Sequence, residues 1–356
     1  MREGGYRERR RAHYQEDRRG EVLGAANERH PRTGSVTFQP TWTQPCPDEL
    51  LSSWLARVAV RGGCDPLNVT ATIWPGWRVW STDVDRGLSQ SRCMTLAAWM
   101  RCDEALVHAT TLLQYSERIH GAGARDHASI PWIISMGCRN RQRFAGVPCC
   151  PQCLQEDVQP YFRRLWRLAF VVGCEKHRVR LIDRCPACEC IIAPHLCTSH
   201  VGNIGLCFAC HSRLADSVCV NVQERALTLQ RLAMNVLRSG EGLWQGRAVP
   251  AASWFSAMRR MATPQRCPLS PADQAEMVIR PTDLPLEMES PVEREARLSI
   301  LAELLESNST GELSATRRKL IQYKARAPAQ TVTTGSVDEH KVRVQWARWL
   351  RRNRMW

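Results

Sequence analysis

Four cysteine couplets constrain this chain more than anything else in it. Cys150-Pro-Gln-Cys153 is followed after twenty residues by Cys174-Glu-Lys-His177, and Cys185-Pro-Ala-Cys188 after eighteen by Cys207-Phe-Ala-Cys210. Two residues between donors let a tight knuckle turn both side chains onto one ion, and two knuckles complete a tetrahedron. Thiolate and imidazole donors of this kind suit zinc. The expected ligands are Cys150, Cys153, Cys174 and His177 at one site and Cys185, Cys188, Cys207 and Cys210 at a second, so two Zn2+ per chain. The similar gaps favour sequential over crossed pairing. Cys149 adjoins Cys150 as a rival ligand, while Cys190, Cys197, His195, His200 and His211 are spare donors. The shared Cys-Pro-x-Cys pattern favours Cys150. Four protein ligands leave no position for a reactive water, so both sites read as structural, not catalytic.

Seventeen cysteines without a secretory signal place the chain in a reducing compartment, where paired cysteines bind metal before they form disulfides. No apolar run approaches the ~20 residues that cross a bilayer. A cytoplasmic protein that does not use a membrane is expected. Lys and Arg outnumber Asp and Glu by 49 to 35, a net charge of +14, and nucleic acid is the first polyanion to consider.

The composition divides the chain. Residues 1–40 are a basic arm, with nine arginines from Arg2 to Arg32 and too few apolar groups for a core. Residues 41–138 read as a helical domain. Asp48 and Glu49 stand where acids favour a helix start, and Leu50, Leu51, Trp54, Leu55, Val58 and Ala59 trace one apolar face that ends at Gly62-Gly63. Trp74, Trp77 and Trp80 read as packing anchors. Thr95–Arg101 and Glu104–Leu113, broken at Cys102 or Asp103, make a helix-turn-helix candidate. Its second helix opens with two acids and carries no Lys or Arg, which suits protein docking better than a phosphate-lined groove.

Residues 139–215 hold the double zinc-finger module and 216–263 a helical region with an amphipathic helix over Val222–Arg238 ended by Gly240. Residues 264–291 are a proline-rich connector. Ser290, Pro291 and Glu293 fit a capping box that opens a C-terminal basic helical region, 292–356. The fold class is thus mainly α with small zinc-bound modules. Three basic clusters are candidate DNA contacts: Arg139, Arg141 and Arg143; Arg163, Arg164 and Arg167; and Arg317, Arg318 and Lys319. A solvated face is the plainer reading of the first two; the third lies on the helix Leu313–Tyr323, the basic second helix of another helix-turn-helix candidate.

Several of these segments together resemble the TniQ family of transposition proteins, related to TnsD. They are Pro47-Asp-Glu-Leu-Leu-Ser-Ser-Trp-Leu-Ala-Arg57, Cys150-Pro-Gln-Cys-Leu-Gln-Glu-Asp157, Arg164-Leu-Trp-Arg-Leu-Ala-Phe170, Cys174-Glu-Lys-His177 and Asp183-Arg-Cys-Pro-Ala-Cys188. The resemblance covers about residues 45–215. It implies a non-catalytic adaptor that helps choose target DNA. Such an adaptor engages an AAA+ ATPase regulator and, through it, the transposase. It also implies an N-terminal helix-turn-helix and structural zinc at the eight ligands above. A stand-alone zinc-containing, sequence-specific DNA-binding regulator is the alternative. An enzyme is not expected, since no open metal site or convergent carboxylate set stands out. A homodimer is the default assembly.

Overall fold

The computed structural model describes residues 43–121, 130–136, 146–244, 246–262 and 285–307. These residues are mainly helical. Helix α1 (Leu51–Arg61) buries Leu51, Trp54, Leu55, Val58 and Ala59, as its stripe predicts, and Gly62 caps it. Gly63 follows at φ 69°, a conformation that glycine adopts without steric cost. The acids before α1 do not serve its dipole: its first turn holds none. Helix α2 (Pro66–Ile73) leads into the tryptophan stretch. The Trp74 indole N–H donates to the Arg92 carbonyl at 3.2 Å and that of Trp80 to Thr70 Oγ1 at 3.0 Å. Arg92 lies 3.8 Å over the Trp77 ring. These rings fasten α2 to its neighbour, as expected of packing anchors.

Helix α3 (Gln90–Met100) ends at Arg101 in the left-handed region, and α4 spans only Glu104–Ala109. The continuous helix expected over Glu104–Leu113 is interrupted. The Thr110 and Thr111 hydroxyls donate to the carbonyls of Val107 and His108 at 2.7 and 2.8 Å. Leu51 N–H donates to the Thr110 carbonyl, and Leu112 N–H to that of Asp85. Bonds to α1 and to the Val84–Arg86 turn replace the helical ladder, and helix α5 (Leu113–His120) starts afresh.

Helix α6 (Pro151–Glu156) opens the cysteine region, which otherwise runs through short turns and isolated antiparallel bridges. Helix α7 (Glu224–Ser239) carries the expected apolar face and ends at Gly240, φ 82°. Buried on that face is Gln230. Its Oε1 accepts the N–H groups of Val172 and Gly173 at 2.9 and 3.1 Å, and its Nε2 donates to the Gly173 carbonyl at 2.9 Å. One amide therefore satisfies the strand-like backbone that leads into Cys174. An antiparallel hairpin follows, β1 (Glu241–Trp244) with β2 (Arg247–Pro250). Four-residue strands carry too little alternation to be read from sequence. Helix α8 (Ala251–Ala262) packs against α5 and α7. Helix α9 (Pro291–Ser307) lies along α7. The capping box that opens it is formed: Ser290 N and Oγ donate to Glu293 Oε2 at 2.8 and 2.9 Å.

One hydrophobic cluster runs from Leu50 to Ala302. Trp132 stands near its centre, edge-on to both Phe170 and Phe255. Cys150, Cys153, Cys174, Cys185 and Cys207 belong to the same cluster. The metal-type residues are therefore fused to the helical core and do not hang from it.

Candidate metal centres

Three of the four couplets are built to one plan. The first ligand's N–H reaches the carbonyl five residues on: Cys174 to Val179, Cys185 to Cys190, Cys207 to Ser212. Its carbonyl accepts from the residue four on: Arg178, Glu189 and His211. Those three residues have φ of 57°, 57° and 60°. Bridges Gly173–Arg180, Arg184–Ile191 and Leu206–Arg213 close each turn. A left-handed non-glycine residue costs about 1–2 kcal/mol, which only a well-anchored turn sustains. The first couplet is different. Pro151 takes the first turn of α6, and Cys150 caps that helix with its sulfur accepting from Cys153 N at 3.5 Å.

The turns gather the donors sequentially into two groups: Cys150, Cys153, Cys174 and His177, and Cys185, Cys188, Cys207 and Cys210. His177 Nδ1 lies 3.4 Å from Cys150 Sγ, 3.4 Å from Cys153 Sγ and 3.5 Å from Cys174 Sγ. Cys153–Cys174, Cys185–Cys210 and Cys188–Cys207 are each 3.6 Å between sulfurs. Around a tetrahedral zinc with bonds of about 2.0–2.3 Å, ligand atoms stand roughly 3.3–3.8 Å apart. Both donor sets therefore fit that ion. Cys149 falls outside both groups: it is buried and pairs its backbone with Ile182. Among the spare donors, His195 stacks on Trp80, and Cys197 Sγ donates to the Leu206 carbonyl at 3.7 Å.

The charge state suits a cation. Hydrogen bonds from the Cys150 and Cys153 thiols hold Cys174 far below the ordinary thiol range. Cys210 is lowered to about 6, chiefly by hydrogen bonding to Ser212, while burial pushes Cys188 up to about 12. Each group thus pairs a ready thiolate with thiols whose protons a divalent ion would displace. Outside the first group, His177 Nε2 meets Glu156 Oε1 at 2.9 Å, which fixes the ring with Nδ1 toward the sulfurs.

A clamp joins this first group to the N-terminal helices. Asp48, at φ 57°, accepts from Arg164 Nε at 2.9 Å and from Leu165 N at 3.2 Å. Glu49 is buried and binds Arg57 through two hydrogen bonds, of 2.9 and 2.6 Å. Ser53 Oγ donates to Glu49 and accepts from Phe162 N, both at 2.9 Å. The acids that seemed to mark a helix start in fact bind α1 to the segment between the first two couplets. Only the i, i+4, i+8 spacing of Glu49, Ser53 and Arg57 hinted at it.

The same segment corrects the reading of its arginines. Arg167 has no exposed surface. Its guanidinium meets Asp85 at 2.7 Å, Asp83 at 2.6 Å and the Ile134 carbonyl at 2.6 Å, so it faces no polyanion. Arg163 binds Asp157 at 2.8 and 3.1 Å and lies 4.3 Å over Tyr161. Arg164 is held by Asp48, with the Thr111 carbonyl at 3.4 Å. All three are internal anchors. Arg139, Arg141, Arg143, Arg317, Arg318 and Lys319 lie outside the described residues.

Compared with curated proteins, the chain finds no match. The family comparison does match, over the stretch that holds α1, the clamp and the first donor group. Residues 40–181 fit the TniQ family model, so this stretch of the chain is similar to a TniQ domain.

Proposed function

We propose that the protein is a non-catalytic transposition adaptor that selects or marks target DNA, recruits an AAA+ ATPase regulator and reaches the transposase through it. The observation that carries this reading is the coincidence of the TniQ match, residues 40–181, with the clamp that ties α1 to the first donor group. Cys150, Cys153, Cys174 and His177 hold one zinc in this reading, and Cys185, Cys188, Cys207 and Cys210 the other. Zinc there supplies cross-linking, with no position left for substrate. The scaffold so fixed presents one face to DNA and another to the ATPase, raising the ATPase's local concentration on the target. With Arg163, Arg164 and Arg167 bound internally, DNA binding falls to Arg139, Arg141, Arg143, Arg317, Arg318 and Lys319. The ATPase meets the acid-led α3–α4 hairpin. The protein works in the cytoplasm, with a homodimer as the default assembly. Among the described residues no helix is long and apolar enough to cross a membrane.

Native mass spectrometry of the full chain with a TniQ-type system's AAA+ ATPase, with and without duplex DNA, tests this. Two zincs per chain and an ATPase complex that tightens on DNA are expected. Two zincs and DNA binding with no ATPase complex would replace this reading with the stand-alone regulator.

A further inference from the structure

A third set of metal-type donors lies away from both cysteine groups, at the junction of α3 and α4. Cys93 sits on α3 with no exposed surface. Glu104 and His108 are four residues apart on α4, which puts them on one helix face, and both are half-buried. One ligand atom from each of the three lies within 4.8 Å of the others. Cys93 Sγ stands 3.4 Å from His108 Nε2. That is the sulfur-to-nitrogen distance of the His177 group, where the donors fit zinc.

The surroundings favour an ion over a simple thiol–imidazole contact. Gln90, one turn before Cys93, donates from Nε2 to Glu104 Oε2 at 2.5 Å, which orients the carboxylate as an outer hydrogen bond orients a metal ligand. The imidazole's other nitrogen, Nδ1, is buried and has no hydrogen-bond partner among the described residues. Nε2 can offer its lone pair toward the sulfur and the carboxylate, with the ring proton then on Nδ1 and without an acceptor. The same missing outer partner makes the site weaker than one buttressed like His177–Glu156. Thiolate, imidazole and carboxylate together suit zinc-class divalent ions. The half-exposed Glu104 and His108 give such an ion a way in. A buried thiol is a poor nucleophile, which sets aside a catalytic Cys–His–Glu reading.

We propose that Cys93, Glu104 and His108 form a third, exchangeable site for a zinc-class divalent metal, pinning α4 to α3 and keeping one coordination position open. The open position distinguishes it from the two four-ligand groups. It allows a water or an outside donor, such as a side chain of a docked protein, to complete the shell. The helix pair on which it lies is the one whose acidic start suits a protein partner.

Cobalt titration of full-length protein holding two zincs per chain, with exchangeable metal first removed by a weak chelator, tests the site, because zinc retained in the two cysteine groups leaves only the third to report. One equivalent of Co2+ should raise a saturable cobalt–thiolate absorption in the wild type. Cys93→Ser should abolish it. Glu104→Gln should weaken cobalt binding by about tenfold or more, with an unchanged circular dichroism spectrum. That variant alters only a half-exposed carboxylate and keeps the test valid if Cys93→Ser or His108→Ala misfolds. Failure of the wild type to develop a saturable band overturns the proposal. So does a band of equal size in Cys93→Ser, which would place the cobalt in the cysteine groups.

Discussion

Removing the Arg167 side chain would strip buried Asp85 of the guanidinium that faces it, with the Asp83 carboxylate alongside. Breaking a buried pair by deleting one partner costs about 3–5 kcal/mol. Arg167→Ala should lose that much in chemical denaturation, and Arg167→Lys most of it, since a lysine cannot span Asp83, Asp85 and the Ile134 carbonyl at once. Salt should change the loss little, because the pair is screened from solvent. Glu156 is a milder case. Its carboxylate buttresses His177 from a half-exposed position. Glu156→Gln should cut the first group's zinc affinity about tenfold in a chelator competition, the low end for an outer ligand partner. At this scale the donors were legible and the cations were not. Cys150 and its seven companions announce themselves by spacing, which is local. Arg163, Arg164 and Arg167 look alike in sequence. Asp157, Asp48 and Asp85, which tell them apart, stand six to 116 residues away.

Elements follow from sequence where the cause is local. The stripe of α1, the glycine that ends α7 and the capping box of α9 are each settled within a few residues, and each is found as expected. The elements that were missed answer to distant partners. The helix stops at Thr110 because Leu51 of α1 bonds the Thr110 carbonyl and the Val84–Arg86 turn takes the Leu112 N–H. Gln230 looks like a blemish on an apolar face until the backbone at Val172 and Gly173 is placed beneath it. The knuckles behave as separable units on the proposed two-zinc reading. Cys185→Ala should lower zinc from two per chain to one, leave the Cys150–His177 group loaded and abolish target selection. Zinc counted by mass spectrometry beside a transposition assay reads both. Full zinc content and normal targeting would remove Cys185 from the ligand set.

At the scale of the whole molecule, an excess of fourteen positive charges must be set against how the arginines are spent. Those between the first two couplets hold the fold together, so the proposed DNA binding depends on basic residues elsewhere. Triple alanine substitution at Arg317, Arg318 and Lys319 should weaken DNA binding across all sequences. It should also flatten the plot of log affinity against log salt by about one unit for each phosphate that is no longer neutralised. An unchanged slope would exclude that cluster.

The sequential pairing of the couplets also bears on the order of events during synthesis. A nascent chain that has emerged as far as His177 already holds every donor of the first group, and Cys185 has yet to leave the ribosome. Each knuckle closes over a few residues and each group over a short span, so little loop-closure entropy opposes either. On the proposed two-zinc reading, the first group can therefore load while the second is still being made, before the later cysteines can compete for its ion. Crossed pairing would have left three thiols and an imidazole waiting for the rest of the chain. Built this way, the protein is shielded from mispairing by translation itself, which proceeds from the N-terminus and lets early segments settle first.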